Sequence, residues 1–169
     1  MRADREADFE AFVAVSADRF FRTAYAITRD DESAADAVRA ALATTYSRWR
    51  RVSAAGHPET YVRRMIVNEI LGRGARRSSA VRPITALHGN APVPGPGQRV
   101  VDTELVWEAL LELPVSQRAL IVLCYYERLP EAEVAVTLGI DPETVAPQCQ
   151  AALKDVQRLV TKSLQGARA

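Results

Sequence analysis

The side chains that most often carry chemistry are scattered through this chain. His57 stands beside Pro58 at the start of a predicted helix and His88 lies in a stretch rich in Pro and Gly, so both read as solvated loop residues rather than bases. Glu131 and Glu133 are two residues apart, point to different sides of a helix and cannot flank a substrate. Gly95 and Gly97 alternate with Pro94 and Pro96 and precede no strand, which excludes a phosphate-cradling loop. Cys124 and Cys149 lack the spacing of a zinc site and read as buried free thiols. With no Ser/His/Asp set legible, the expectation is no catalytic residue, no metal and no cofactor, hence no enzyme.

The basic residues are better organised. Arg48, Arg50 and Arg51, followed by Arg63, Arg64, Arg73, Arg76 and Arg77, surround the aromatic residues Tyr46, Trp49 and Tyr61. Such a surface suits a phosphate backbone and unstacked bases. An equally consistent reading puts Trp49 and Tyr61 in the core and the arginines on a solvated face. The net charge of +1, from 22 basic and 21 acidic residues, does not choose between them. Its distribution is uneven: residues 1–78 carry +3, residues 79–101 carry +2, and residues 102–169 carry −4.

The elements that must position these residues are helices. Apolar residues recur at helical spacing, as in Phe9, Phe12 and Val13 or Val38, Ala41, Leu42 and Thr45, and no stretch alternates with period two. Helices are predicted near 5–28, 31–51 and 58–77, then from Thr103 to Leu113, from Pro114 to about Glu127, and from Pro130 to Leu138. Asp141-Pro142-Glu143 is a helix start, with a cap, a first-turn proline and an acid, so a short helix, Gly139 and a longer amphipathic helix form a helix-turn-helix. Between Val81 and Gly97 lie four of the nine prolines and three of the eight glycines, which cannot hold a helix. The expected architecture is all-α: a helical domain over 1–78, a linker over 79–102 and a helix-turn-helix domain over 103–169. No run is apolar enough to span a membrane, and the first residues, Met1 to Glu6, read as neither signal nor transit peptide. A cytoplasmic protein without membrane insertion is expected.

The segment from Leu123 through Tyr125, Tyr126 and Pro130 to Ala135, followed by Leu138-Gly139-Ile140 and Thr144-Val145, resembles region 4 of the extracytoplasmic-function (ECF) sigma factors of bacterial RNA polymerase. Leu113-Pro114-Val115-Ser116-Gln117-Arg118 is similar to the lead-in of that region. Asp36-Ala37-Val38-Arg39, Ala41-Leu42, Tyr46 to Trp49, Pro58 to Arg64 and Val67-Asn68 resemble region 2. The likeness covers about residues 8–78 and 103–160 and is nearest to short members with two domains.

The resemblance implies a protein that binds core RNA polymerase and directs initiation at promoter DNA. It puts Asp36, Val38, Arg39 and Leu42 where the family grips the polymerase. It puts Trp49, Arg50, Arg51, Tyr61, Arg64, Asn68, Arg73, Arg76 and Arg77 on the side that opens and reads the −10 element, with a flipped base held by the loop from Ser53 to Pro58. Thr144, Gln148, Gln150, Lys154 and Arg158 fall where the −35 duplex is read. An anti-sigma partner is common in the family, and nothing in these residues specifies one.

The chain also departs from the family pattern. Arg39 and Ala40 replace a Gln and an acid, and Ala146-Pro147-Gln148 replaces a basic stretch in the recognition helix. Pro147, the sixth residue after the Asp141 cap, costs about 3 kcal/mol in a helix interior, so the helix is expected to bend or to start later. Two functions follow as alternatives: an ECF sigma factor with unusual −35 preference, or a sigma-like adaptor that binds a protein partner without initiating transcription.

Overall fold

A computed structural model describes residues 2–77 and 103–166, and every regular element among them is helical. The first half contains α1 (Arg2–Thr28), α2 (Asp31–Ser47), α3 (Trp49–Ala54) and α4 (Pro58–Arg77). The second contains α5 (Thr103–Glu112), α6 (Val115–Ile121), a π-helical turn (Val122–Tyr126), α7 (Glu131–Leu138) and α8 (Pro142–Gly166). The predicted linker over 79–102 lies outside the described residues.

Two local predictions are corrected by packing. The helix expected over 31–51 breaks at Arg48, whose φ of −114° and ψ of 11° are not helical. The break turns Trp49 inward, where its ring centroid lies 5.1 Å from that of Phe9 and 5.0 Å from that of Phe12. Burying an indole offsets the loss of a few backbone hydrogen bonds. The helix expected to run to about Glu127 passes instead into the π-helical turn, where the Glu127 N–H donates to the Val122 carbonyl at 2.9 Å. The extra residue in that turn shifts the side chains that follow it around the axis.

Of the two outcomes expected at Pro147, a bend or a later start, the structure excludes the second. The helix does not start later: α8 begins at Pro142 with Pro147 inside it. Asp141 secures that start, because its Oδ1 accepts the Glu143 N–H at 3.1 Å and its carbonyl accepts the Thr144 N–H at 3.0 Å. Pro147 has no N–H for the Glu143 carbonyl, but both residues are exposed and water can serve that oxygen. Pro147→Ala is expected to raise stability by about 2 kcal/mol, the helix-interior penalty less the entropy that proline removes from the unfolded chain. A urea titration monitoring helix content checks this: the midpoint should rise with the slope unchanged.

One apolar core runs through both halves. Phe20, Ala24 and Ile27 of α1, Ala37 and Ala41 of α2, and Val62, Ile66 and Val67 of α4 join Leu120 of α6, Leu123 of the π-helical turn, Val134 of α7 and Val145 of α8. A smaller cluster built on Leu110, Leu113, Ile121, Val156 and Val160 ties α5 and α6 to the outer part of α8. Cys149 is buried and Cys124 half-buried, and both are free. The Cys149 sulfhydryl hydrogen-bonds to Cys124, which lowers the Cys124 pKa and raises that of Cys149.

Candidate nucleic-acid interface

Helix α4 sorts its residues by face. Val62, Ile66, Val67 and Ile70 are buried, while Arg64 and Asn68, one turn apart, are exposed. Arg50 and Arg51 of α3 are also exposed. Between the two helices, Gly56 adopts a φ of +82°, a left-handed conformation that favours glycine, and so lets the chain turn back into α4. Tyr61 is half-buried, and its hydroxyl accepts a hydrogen bond from Arg48 Nη1 at 3.3 Å. Trp49 differs from the others: with 5% of its surface exposed, it belongs to the core and offers no ring face to a base in this conformation. The side chains of Arg76 and Arg77 lie outside the described residues.

The residues matched to polymerase gripping adjoin this face through an ion-pair network. Asp36 pairs with Arg39 one turn along α2 and with Arg73 of α4, whose Nη1 lies 3.2 Å from Asp36 Oδ2. The Arg39 hydrogen bond above all holds the Asp36 carboxyl below its ordinary pKa, with Arg73 adding to the effect and partial burial opposing it. Val38 faces the core and Leu42 is half-buried. Of the four residues, only Asp36 and Arg39 therefore offer charge to solvent.

In the second half, α7, Gly139 and α8 form the helix-turn-helix. Gly139 has a φ of 68°, and its N–H and that of Ile140 both donate to the Ala135 carbonyl, ending α7 and redirecting the chain. Gln150 and Arg158 are exposed on α8, where Arg158 Nη2 donates to Asp155 Oδ1 at 2.7 Å. Thr144 is half-buried and spends its hydroxyl on the Asp141 carbonyl at 2.7 Å. Gln148, expected to face outward, is half-buried, and its side-chain oxygen has no partner among the described residues. Lys154 and Arg158 share a shallow surface groove on α8 with Gln157, Thr161 and Lys162, which the sequence reading did not single out.

Sequence reasoning also missed the polar contacts between the halves. Arg63, 4% exposed, donates through Nη1 to Glu133 Oε2 of α7 at 3.4 Å. Arg19 of α1 donates through Nε to Glu127 Oε2 at 3.3 Å, and the Thr23 hydroxyl donates to Glu127 Oε1 at 2.6 Å. The Arg29 guanidinium lies over the Trp107 ring at 4.8 Å. No spacing rule within one helix relates residues 70 to 108 positions apart, so these contacts had no local signal.

An all-helical fold whose second half carries a helix-turn-helix is an architecture in which DNA-binding proteins present a recognition helix. The family described as Sigma-70, region 4 matches residues 103–156. The chain is 29% identical over 158 residues to RNA polymerase sigma-E factor of Streptomyces coelicolor, covering 93% of this chain and 89% of that protein. It is 30% identical over 139 residues to the ECF RNA polymerase sigma factor SigM of Mycobacterium tuberculosis, covering 82% and 70%. Its fold matches that of the sigma factor RpoE from Bartonella quintana, solved in complex with the anti-sigma factor NepR, with a TM-score of 0.68, 16% identity and coverage of 91% and 97%. The chain belongs to the ECF sigma factors of RNA polymerase. Among the described residues, no helix is long and apolar enough to cross a membrane.

Proposed function

We propose that this chain binds core RNA polymerase and directs promoter-specific initiation, with residues 1–78 and 103–169 acting as the two working parts and 79–102 as their connector. The first part meets the opened −10 strand through Arg50, Arg51, Arg64 and Asn68, with the loop from Ser53 to Pro58 receiving a base. The second part meets the −35 duplex through the outer face of α8. The observation that carries the reading is the solvent stripe of α4, where a cation and an amide one turn apart stand exposed opposite the buried Val62, Ile66, Val67 and Ile70. Arginines beside an amide hold phosphates and base edges without a cofactor.

The contact to the −35 element is the weaker of the two. Gln148 is drawn inward, Thr144 is already bonded, and the basic groups lie further along α8. Tethering to polymerase raises the effective concentration of such a weak module at the promoter.

The test is to mix the purified chain with sigma-free core polymerase and sheared genomic DNA and to map transcript 5′ ends. Starts behind one shared −10 sequence are expected. Arg64→Ala with Asn68→Ala should cut them by about tenfold or more while leaving core binding intact, since each lost contact is worth about 1–3 kcal/mol. Core binding without any starts would replace this reading with the adaptor.

A further inference from the structure

The chain has two cysteines, and folding brings them into contact. Cys124 stands in the π-helical turn, and Cys149 lies two turns into α8, with all of α7 between them along the chain. Arg128, with a φ of 54°, turns the chain between the π-helical turn and α7, and the Leu129 N–H donates to the Leu123 carbonyl at 3.1 Å. Leu123, next to Cys124, and Val145, one turn before Cys149, are buried in the same apolar cluster. Each thiol is therefore carried on packed backbone. The Cys149 S–H donates to the Cys124 sulfur. Cys149 is buried, whereas Cys124 is half-buried and is the sulfur that solvent reaches. Two touching thiols, one reachable and one enclosed, have the arrangement of an oxidisable cysteine beside its resolving partner.

We propose that Cys124 and Cys149 form a reversible dithiol–disulfide site that reacts with hydroperoxides. The Cys124 thiolate attacks one oxygen of the hydroperoxide, the O–O bond breaks, and the other oxygen takes a proton and leaves as an alcohol or water. Cys124 then carries a sulfenic acid. The Cys149 sulfur attacks the Cys124 sulfur, the S–O bond breaks, and the Cys149 proton departs with the hydroxide as water. Two thiols are thus oxidised to one disulfide while the hydroperoxide takes up the two electrons. The hydrogen bond from Cys149 lowers the Cys124 pKa, against the opposing effects of burial and the Glu131 carboxylate, and it keeps Cys149 protonated for the second step. The new bond closes a loop that holds α7, Gly139 and the start of α8, so it clasps the helix-turn-helix and restricts its unfolding. Nothing in this chemistry depends on polymerase or DNA.

The test treats the full chain, reduced and then freed of reductant, with a small molar excess of hydrogen peroxide. The protein is then unfolded in N-ethylmaleimide and weighed whole. A mass lower by two hydrogen atoms with no maleimide added is expected, against two adducts on the untreated chain. Trypsin should release peptides 119–128 and 129–154 joined to each other until dithiothreitol is added. Cys149→Ala should stop at the Cys124 sulfenic acid, captured by dimedone, while Cys124→Ala should slow oxidation of Cys149 at least about tenfold. The linked chain should unfold in urea at a midpoint about 1 M or more above that of the reduced chain. Links between chains only, oxidation of each cysteine without a link, or thiols that react only after unfolding would overturn the site. A link that leaves the midpoint unchanged would overturn the clasp.

Discussion

Replacing Arg118 by methionine should lower the stability of the chain by about 3 kcal/mol, because one guanidinium serves four carbonyls. Arg118 Nε donates to Leu110 at 2.9 Å, Nη2 to Leu111 and Leu113 at 3.1 Å each, and Nη1 to Ile27 at 2.8 Å. These carbonyls lie at the ends of α5 and α1, where helices leave their last oxygens without intrahelical partners and where the macrodipole favours a cation. Burial pushes the Arg118 pKa down, yet an arginine stays charged at any pH of interest. Methionine keeps the stem and removes every donor. Water reaches part of the site, which holds the loss below the sum of four charged hydrogen bonds. Arg118→Lys should recover little, since a point cation cannot reproduce a planar fork. Urea titration checks both variants, with an expected midpoint loss of about 1–2 M at unchanged slope. A loss near zero for the methionine variant would show that solvent already satisfies these oxygens.

The second large effect is expected at Leu123. Its side chain is fully buried in the core common to α1, α4, α6 and α7, and Leu123→Ala should cost about 3–4 kcal/mol through lost transfer energy and the cavity left behind. The manner of unfolding tells more than the size of the loss. Trp49 belongs to the first half and Trp107 to the second, so Trp107→Phe and Trp49→Phe each leave one fluorescent reporter. Both reporters should show a single coincident transition, displaced together by Leu123→Ala. Two separate midpoints with only the second displaced would mean that the halves unfold independently and that their contact adds little.

Much of this molecule can be read locally. The period of the apolar residues gives helices, Pro58 and Asp141-Pro142 mark two helix starts, and Gly139 marks the turn of the helix-turn-helix. The exposed stripe of Arg64 and Asn68 follows from the same periodicity, since the positions between them carry methionine, isoleucine and valine. Aromatic residues proved less legible than cations, because a Trp flanked by arginines fits a base platform and a core position equally well. Trp49 became a core residue through Phe9 and Phe12, forty and thirty-seven positions away. The unbroken apolar run from Ala119 to Cys124 carried an unused signal. A helix apolar all round is buried on every side, and this one is clasped between the first half and α8.

The elements, the helix-turn-helix and the family are legible from residue order alone, because each is written in contacts a few residues apart or in motifs that keep their order along the chain. Long-range packing alone makes Glu127 and Glu133 meet Arg19 and Arg63, joins the ends of α1 and α5 through Arg118, and sets Leu129 and Glu133 beside the loop at Gly56. Those outcomes depend on which apolar faces find each other across the chain. That choice is made by the summed burial of many side chains, with the charged pairs falling wherever the packed helices bring them together.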